Sequence, residues 1–314
     1  MKRASEFAKK LKNRPLVRSA VRHMPALGIV GTVLSIVFFI QHPSWPTPDK
    51  LLLFMMFVFM MFRKSVDLLK RFVPFVGLLL AYESLRGLAP ILNTRVEYQW
   101  MISADELLGF GKLPTIWLQE LLWNGTIRWF DFALYGVYML HFILPFGLAL
   151  FIWRLRPYDY WRYVTTFIVL SFFGFLTFLI MPAAPPWMAS NDGYTQPIHR
   201  ISSDVWYAVG IEDFPSVYNK IAPNPVAAVP SLHAAYATLL ALFVWKLFGK
   251  KLGMLTLIYP ACIYFGTVYQ GEHYLIDEII GSVYAFGVYY LVARFYEPSK
   301  AILINRYKKV IAWT

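Results

Sequence analysis

Residues 161–181 read WRYVTTFIVLSFFGFLTFLIM, an apolar run whose one charge, Arg162, stands at its leading edge. A helix needs roughly 17 to 25 mostly apolar residues to cross the hydrocarbon core, and a lipid-exposed backbone must satisfy its own hydrogen bonds, which favours helices over open sheets. The run therefore predicts a membrane-spanning helix. The whole chain agrees: 58% of its 314 residues are hydrophobic, 18% aromatic and 15% charged, too little polar residue to cover soluble domains of this length. No alternating ten-residue barrel pattern appears. Working outward, similar runs predict spans near 25–41, 50–66, 72–92, 131–153, 230–248, 252–271 and 274–296. The expected fold is an all-α, polytopic membrane helical bundle of about eight transmembrane helices.

The charges sort by side. Lys and Arg cluster at the N-terminus (Lys2, Arg3, Lys9, Lys10, Lys12, Arg14, Arg18, Arg22), at Arg63, Lys64, Lys70 and Arg71, at Arg154, Arg156 and Arg162, at Lys246, Lys250 and Lys251, and at Lys300, Arg306, Lys308 and Lys309. These clusters fall at every second loop, as the positive-inside rule requires of cytoplasmic loops. Glu97, Asp105, Glu106, Glu120, Asp192, Asp204, Glu212 and Asp213 occupy the opposite side. Both termini are expected in the cytoplasm. The net charge of +12 is accounted for by topology and attraction to anionic inner-leaflet lipid, so no nucleic-acid partner is expected. Gln41-His42-Pro43-Ser44-Trp45-Pro46 offers no small-residue cleavage site, so the first apolar run is read as a retained helix. Cys262 is the sole cysteine, which excludes disulfides within the chain and thiolate metal clusters.

Four parts are expected: a basic segment 1–24, two helices in 25–71, a helical core in 72–296 and a basic tail 297–314. Two segments on the outer side are more than spans. In 93–130, Leu113, Trp117, Leu118, Leu121 and Leu122 form an apolar stripe at helical spacing beside Gln119 and Glu120, which suits a helix lying in the membrane interface. In 182–229, seven prolines, among them Pro182, Pro185 and Pro186, rule out one continuous helix and leave a long loop of the kind that binds or covers.

Pro230-Ser231-Leu232-His233 opens one span, and His273-Tyr274-Leu275-Ile276-Asp277 opens the last. Two crossings separate them, so both reach the same, outer side. Proline favours the first turn of a helix, which places His233 near a helix N-terminus, where free N–H groups and the dipole attract phosphate. With His273 and Asp277 in the first turns of the last helix, their i, i+4 spacing shares one face, and the carboxylate can fix the imidazole tautomer. Any one of these histidines also reads as a hydrogen-bonded structural residue. Ionisable residues in membrane segments are expensive, and three arriving at one leaflet favour catalysis.

These two motifs resemble the second and third signatures of the type 2 phosphatidic acid phosphatase superfamily, whose members share a six-helix catalytic core. Leucine before the first histidine, the Pro182-Ala183-Ala184-Pro185-Pro186-Trp187 loop and Gly266-Thr267-Val268-Tyr269-Gln270-Gly271-Glu272-His273 are closer to its inositolphosphotransferase branch, which contains fungal inositol phosphorylceramide synthase. The resemblance implies that His273 attacks phosphorus and holds a phosphohistidine, Asp277 orients it, and His233 serves as acid and then base. It implies no metal and no cofactor.

The chain also departs from the phosphatases. Ala149 stands where their first signature has a lysine seven residues before Arg156-Pro157, and Thr267 where they place an arginine six residues before the nucleophile. Another group must clamp phosphate. Arg86, beside Glu83, is the leading candidate, or else their pair is structural; Arg200 and Lys220 follow. Ser231, Tyr274 and Trp187, within the resembling segments, are expected to contact substrate. His141 is expected either to line the pocket or to bond a neighbouring helix. The expected activity moves a phosphate-containing head group, possibly inositol phosphate, from a phospholipid to a hydroxyl. The alternatives are hydrolysis of a lipid phosphate or diphosphate by the same residues, and a non-catalytic lipid-binding protein.

Overall fold

A computed structural model of the chain describes residues 15–41, 65–208 and 224–311, together with 54, 56–58, 60 and 61. The chain divides into two compact units, residues 1–80 and 81–314. Helices account for nearly all regular structure among the described residues, and the few β-bridges are isolated.

In the first unit, α1 (Pro15–Gln41) is the first apolar run as a helix. Gly28 and Gly31 let it approach the backbone and ring of the segment at Phe57 to Met61 so closely that a Cβ at either glycine would collide. The expected span 50–66 lies largely outside the described residues, as do Lys220 and the loop residues around it.

The second unit begins within α2 (Ser65–Arg86) and continues through α3 (Ala89–Leu92), α4 (Gln99–Leu108), α5 (Pro114–Leu122), α6 (Trp129–Met139), α7 (Leu144–Leu155) and α8 (Tyr160–Ile180). After α9 (Pro186–Asn191) and α10 (Ile201–Ala208) come α11 (Leu232–Phe248), α12 (Lys250–Thr256), α13 (Ile258–Tyr269) and α14 (Leu275–Ile311). Its centre is α8, α11 and α14 packed on one another, with α13 lying against α5, α6 and α11. The apolar run at 161–181 forms α8, which buries Tyr160, Tyr163, Phe167, Leu170 and Phe178.

Four stretches are long and apolar enough to cross a membrane: Lys70–Leu92, Pro157–Ile180, Lys250–Tyr269 and Leu275–Tyr296. Counting the bent pair Trp129–Phe142 and Leu144–Leu155 as one span makes five, and His23–Phe38 and Leu232–Phe248 are shorter apolar helices. The chain is a membrane protein, but the described residues do not reach the expected count of eight.

Three local expectations are corrected. The span expected at 131–153 is broken by a 3-10 turn, Leu140–Phe142, and bends by 52°. Pro145, in the first turn of α7, has no N–H for the carbonyl of His141 and its ring crowds that carbonyl. His141 therefore sits at a kink, not in mid-helix. Pro230 is not in the first turn of α11: the helix begins at Leu232 behind an N-cap at Ser231, whose hydroxyl accepts from the Ala234 N–H at 3.3 Å. His273 likewise precedes α14, which begins at Leu275.

Loops tie this end of the unit together. Residues 182–184 lie between two other segments: Glu97 N–H donates to Pro182 O at 2.8 Å, and Ala183 N–H donates to Val226 O at 2.8 Å. The stripe on α5 divides. Leu113 is buried, whereas Trp117 and Leu121 are 57% and 76% exposed, an apolar face suited to lipid. Gln119 is buried instead, donating to Tyr269 O at 2.9 Å and His199 O at 2.7 Å.

Candidate active site

The two motif helices meet at their N-terminal ends. Ser231 N–H donates to Asp277 O at 3.1 Å, joining the motifs directly. The approach depends on Gly281, one turn further along α14, where a Cβ would run into the Ser231 carbonyl. His233, in the first turn of α11, and His273, just ahead of α14, thereby come within reach.

Their nitrogens are in contact: His233 Nδ1 lies 3.1 Å from His273 Nε2. Behind His273, its Nδ1 faces Asp277 Oδ2 at 3.4 Å, and the same oxygen accepts the Tyr274 N–H at 2.9 Å. With Nδ1–H directed at the carboxylate, Nε2 is left with its lone pair. Burial holds the His273 imidazole below its ordinary pKa, against the upward pull of the Glu278 and Glu272 charges, so the ring is neutral at neutral pH. A neutral imidazole with a free lone pair, an orienting carboxylate and a second imidazole is the equipment for nucleophilic displacement with proton transfer. A phosphoryl group cannot enter between nitrogens 3.1 Å apart, so substrate must replace that hydrogen bond.

An aromatic stack fixes His233. Its ring lies 4.4 Å from Tyr138 and 4.3 Å from His141, and His141 in turn stacks on Tyr236 at 4.9 Å. Tyr236 is held by Ser171 on α8 at 2.6 Å. The two catalytic candidates open on a cavity of about 90 Å³ whose polar lining includes Arg86, Glu83, His141, Asn224 and Glu272. Arg86 Nη2 stands 3.1 Å from Glu83, a basic group beside the histidines with a carboxylate neighbour.

The other expected contacts stand elsewhere. Ser231 is fully buried as the cap of α11 and donates to Glu278 Oε1 at 3.1 Å. Tyr274 is buried in the apolar cluster with Met101, Ile102 and Val229. Trp187 lies under the Arg200 guanidinium at 4.1 Å, outside the cavity lining. Arg200 is itself engaged by Glu272, at 2.8 Å from Oε1. Burial would raise the Glu272 carboxyl, but the Arg200 charge and hydrogen bonds from Arg200 and Ser202 outweigh it and leave the group below its ordinary pKa.

Three further carboxylates, Glu278, Glu272 and Asp105, bond within or behind the site. Glu278 is buried and accepts from Thr267 Oγ1 at 2.7 Å as well as from Ser231. The threonine at the phosphatases' arginine position therefore serves an internal carboxylate. Glu278 could have been singled out by the argument applied to Asp277, a charge at the mouth of an apolar run. Glu272 was visible only as part of a longer motif. Asp105 had no local signal: from α4 its two oxygens accept the N–H groups of Leu275 and Ile276, at 2.9 and 2.8 Å, and cap α14 from outside. Burial raises the Asp105 carboxyl to about 6 in spite of these bonds. Among the described residues no cluster of His, Cys, Asp and Glu is placed to hold a metal ion.

A family profile described as the PAP2 superfamily matches residues 99–291. The chain belongs to the PAP2 superfamily. The matched segment begins at α4, carries Asp105 and includes both histidine motifs. Within this superfamily the chain is 34% identical over 145 residues to a phosphoinositol dihydroceramide synthase of Bacteroides thetaiotaomicron, covering 43% of this chain and 46% of that protein. It is 29% identical over 130 residues to the inositol phosphorylceramide synthase catalytic subunit AUR1 of Saccharomyces cerevisiae, 38% of this chain and 31% of the relative. An inositol phosphorylceramide synthase of Candida albicans is 25% identical over 178 residues, 52% and 36% respectively. The chain thus spans less than half the length of each of these relatives. No solved structure matches it.

Proposed function

We propose that the chain transfers a phosphoinositol head group from a phospholipid donor to the hydroxyl of a ceramide-type lipid. The observation that carries the reading is the His233 Nδ1 to His273 Nε2 contact of 3.1 Å, backed by Asp277 and opening on the Arg86 cavity. The names of the three relatives supply the head group and acceptor class.

In the first step, His273 Nε2 attacks phosphorus and the bond to the diacylglycerol oxygen breaks. His233 Nδ1–H gives its proton to that oxygen, and an inositol phosphohistidine remains, with one ester bond to inositol and one P–N bond to His273. In the second step the acceptor hydroxyl gives its proton back to His233 and its oxygen attacks phosphorus, releasing His273. Asp277 holds the Nδ1–H throughout and stabilises the charge that develops on the ring. Arg86 neutralises the non-bridging phosphate oxygens, and Glu83 holds the guanidinium in place.

The same reading sets the site at the extracytoplasmic face, with basic termini in the cytoplasm, and residues 72–296 as the catalytic part. The test uses purified protein in liposomes with phosphatidylinositol labelled in the inositol ring, with and without ceramide. A ceramide-dependent labelled phosphodiester is the expected product. Labelled water-soluble inositol phosphate, equal in both arms, would replace transfer by hydrolysis. No turnover in either arm would leave a lipid-binding protein.

A further inference from the structure

A second cavity lies at the other end of the bundle. It has a volume of about 710 Å³ and is lined by Asp159, Arg162, Trp245, Lys246, Tyr289 and Tyr290, among others. His233 and Lys246 stand thirteen positions apart on α11, which separates the cavity from the histidine pair by about 20 Å along the helix axis. It shares no lining residue with the catalytic cavity.

Its chemistry is that of an anion site at a membrane surface. Arg162 is 3% exposed, and its guanidinium lies 5.7 Å from the Phe243 ring and 5.1 Å from the Tyr289 ring, so aromatic faces fix its position at the cavity wall. Lys246, also in the lining, is exposed, and two cations against the Asp159 carboxylate leave the lining positive. Arg154 and Arg156 shortly precede Asp159 in sequence, Lys250 and Lys251 shortly follow Lys246, and their charges add to the local positive potential. Trp245 and Tyr290, 40% and 64% exposed, provide the amphipathic rings that settle at a bilayer interface. The volume is within the usual range for a small-molecule site of about 300 to 1,000 Å³. Basic pockets between membrane helices at the head-group level suit the phosphodiester of an anionic lipid.

We propose that this cavity binds the head group of an anionic phospholipid, with its phosphate between Arg162 and Lys246, as a site separate from the catalytic one. The full chain is reconstituted in nanodiscs with phosphatidylglycerol carrying a photoreactive group next to the head group, or the matching phosphatidylcholine probe. Crosslinks are mapped by mass spectrometry. Phosphatidylglycerol is expected to label the segments around Arg162, Lys246 and Tyr290 in excess of phosphatidylcholine, and to do so equally in the His273→Ala chain. Lys246→Gln, an exposed position whose variant keeps the fold, should reduce this labelling about fivefold, and Arg162→Gln should reduce it further. Equal labelling by the two probes, or undiminished labelling in Lys246→Gln, overturns the proposal. Protection by millimolar soluble glycerol phosphate would make the site one for a free phosphate and overturn the lipid reading.

Discussion

The two helices that bring the histidines together begin in opposite ways. α11 is capped by its own Ser231, one residue outside the helix, which accepts from Ala234 three residues on. α14 is capped from a distance: Asp105, 170 positions earlier, accepts the Leu275 N–H, and its other oxygen accepts that of Ile276. The local cap sets where a helix starts and little more. The remote one ties the start of α14 to α4 and so fixes the height of the loop that carries His273. The nucleophile candidate therefore depends on a helix outside the motifs, whereas His233 depends on its own first turn and on the rings stacked against it.

Breaking either imidazole should have the largest effect. His273→Ala and His233→Ala are each expected to lower kcat for head-group transfer by about 10⁴-fold or more, with unchanged circular dichroism. Substantial transfer by either variant would remove that residue from the chemistry. Asp277→Asn comes next, with a loss on the order of 10³-fold, because the amide no longer selects the Nδ1–H tautomer. It also accepts from Tyr274, so the variant should be compared by thermal unfolding before the loss is assigned to orientation.

The remote cap is tested at Asp105. Asp105→Ala deletes both acceptors and should destabilise the protein by on the order of 2 kcal/mol, with a fall in kcat that exceeds the fall in substrate affinity. The pH dependence sharpens this. A carboxyl raised to about 6 from 3.8 binds its proton more tightly in the folded chain, so its contribution to stability is complete below pH 3.8 and is lost as pH rises through 6. Asp105→Asn, which cannot ionise, should therefore gain stability relative to the parent between pH 4 and pH 6.5. A difference in melting temperature that stays flat across this range would contradict the role of burial at Asp105. The local cap should matter least: Ser231→Ala is expected to cost about 1 kcal/mol, read by denaturant unfolding, with kcat changed less than for Asp105→Ala.

Much of this was legible along the chain because it is written in consecutive residues. The apolar run of α8 follows from its length, whereas His273 and Asp277 meet without sharing a helical face, since α14 begins at Leu275 behind His273. Other features escaped for physical reasons. Pro145 turned an expected span into a kink at His141, because a proline acts on the carbonyl four residues back. Helix α5 buried its glutamine, because two backbone carbonyls and a backbone N–H needed partners, and left its tryptophan exposed. Tyr274 packs in the apolar cluster and Trp187 under Arg200, outside the lining of the histidine cavity, positions that adjacency to the motifs does not reveal.

By itself the sequence determined that the chain is helical and membrane-embedded and that two histidines and an aspartate stand at the mouths of apolar runs, since hydrophobic length and ionisation cost are properties of short segments. Only the tertiary structure decided that the imidazoles touch, that Gly281 gives Ser231 room to reach the Asp277 backbone, that Thr267 serves Glu278, and that Asp105 caps α14. Each of those contacts joins residues from different helices or successive turns of folded chain. Its energy arises when packing removes water from both partners at once, and no local pattern records which partner that will be.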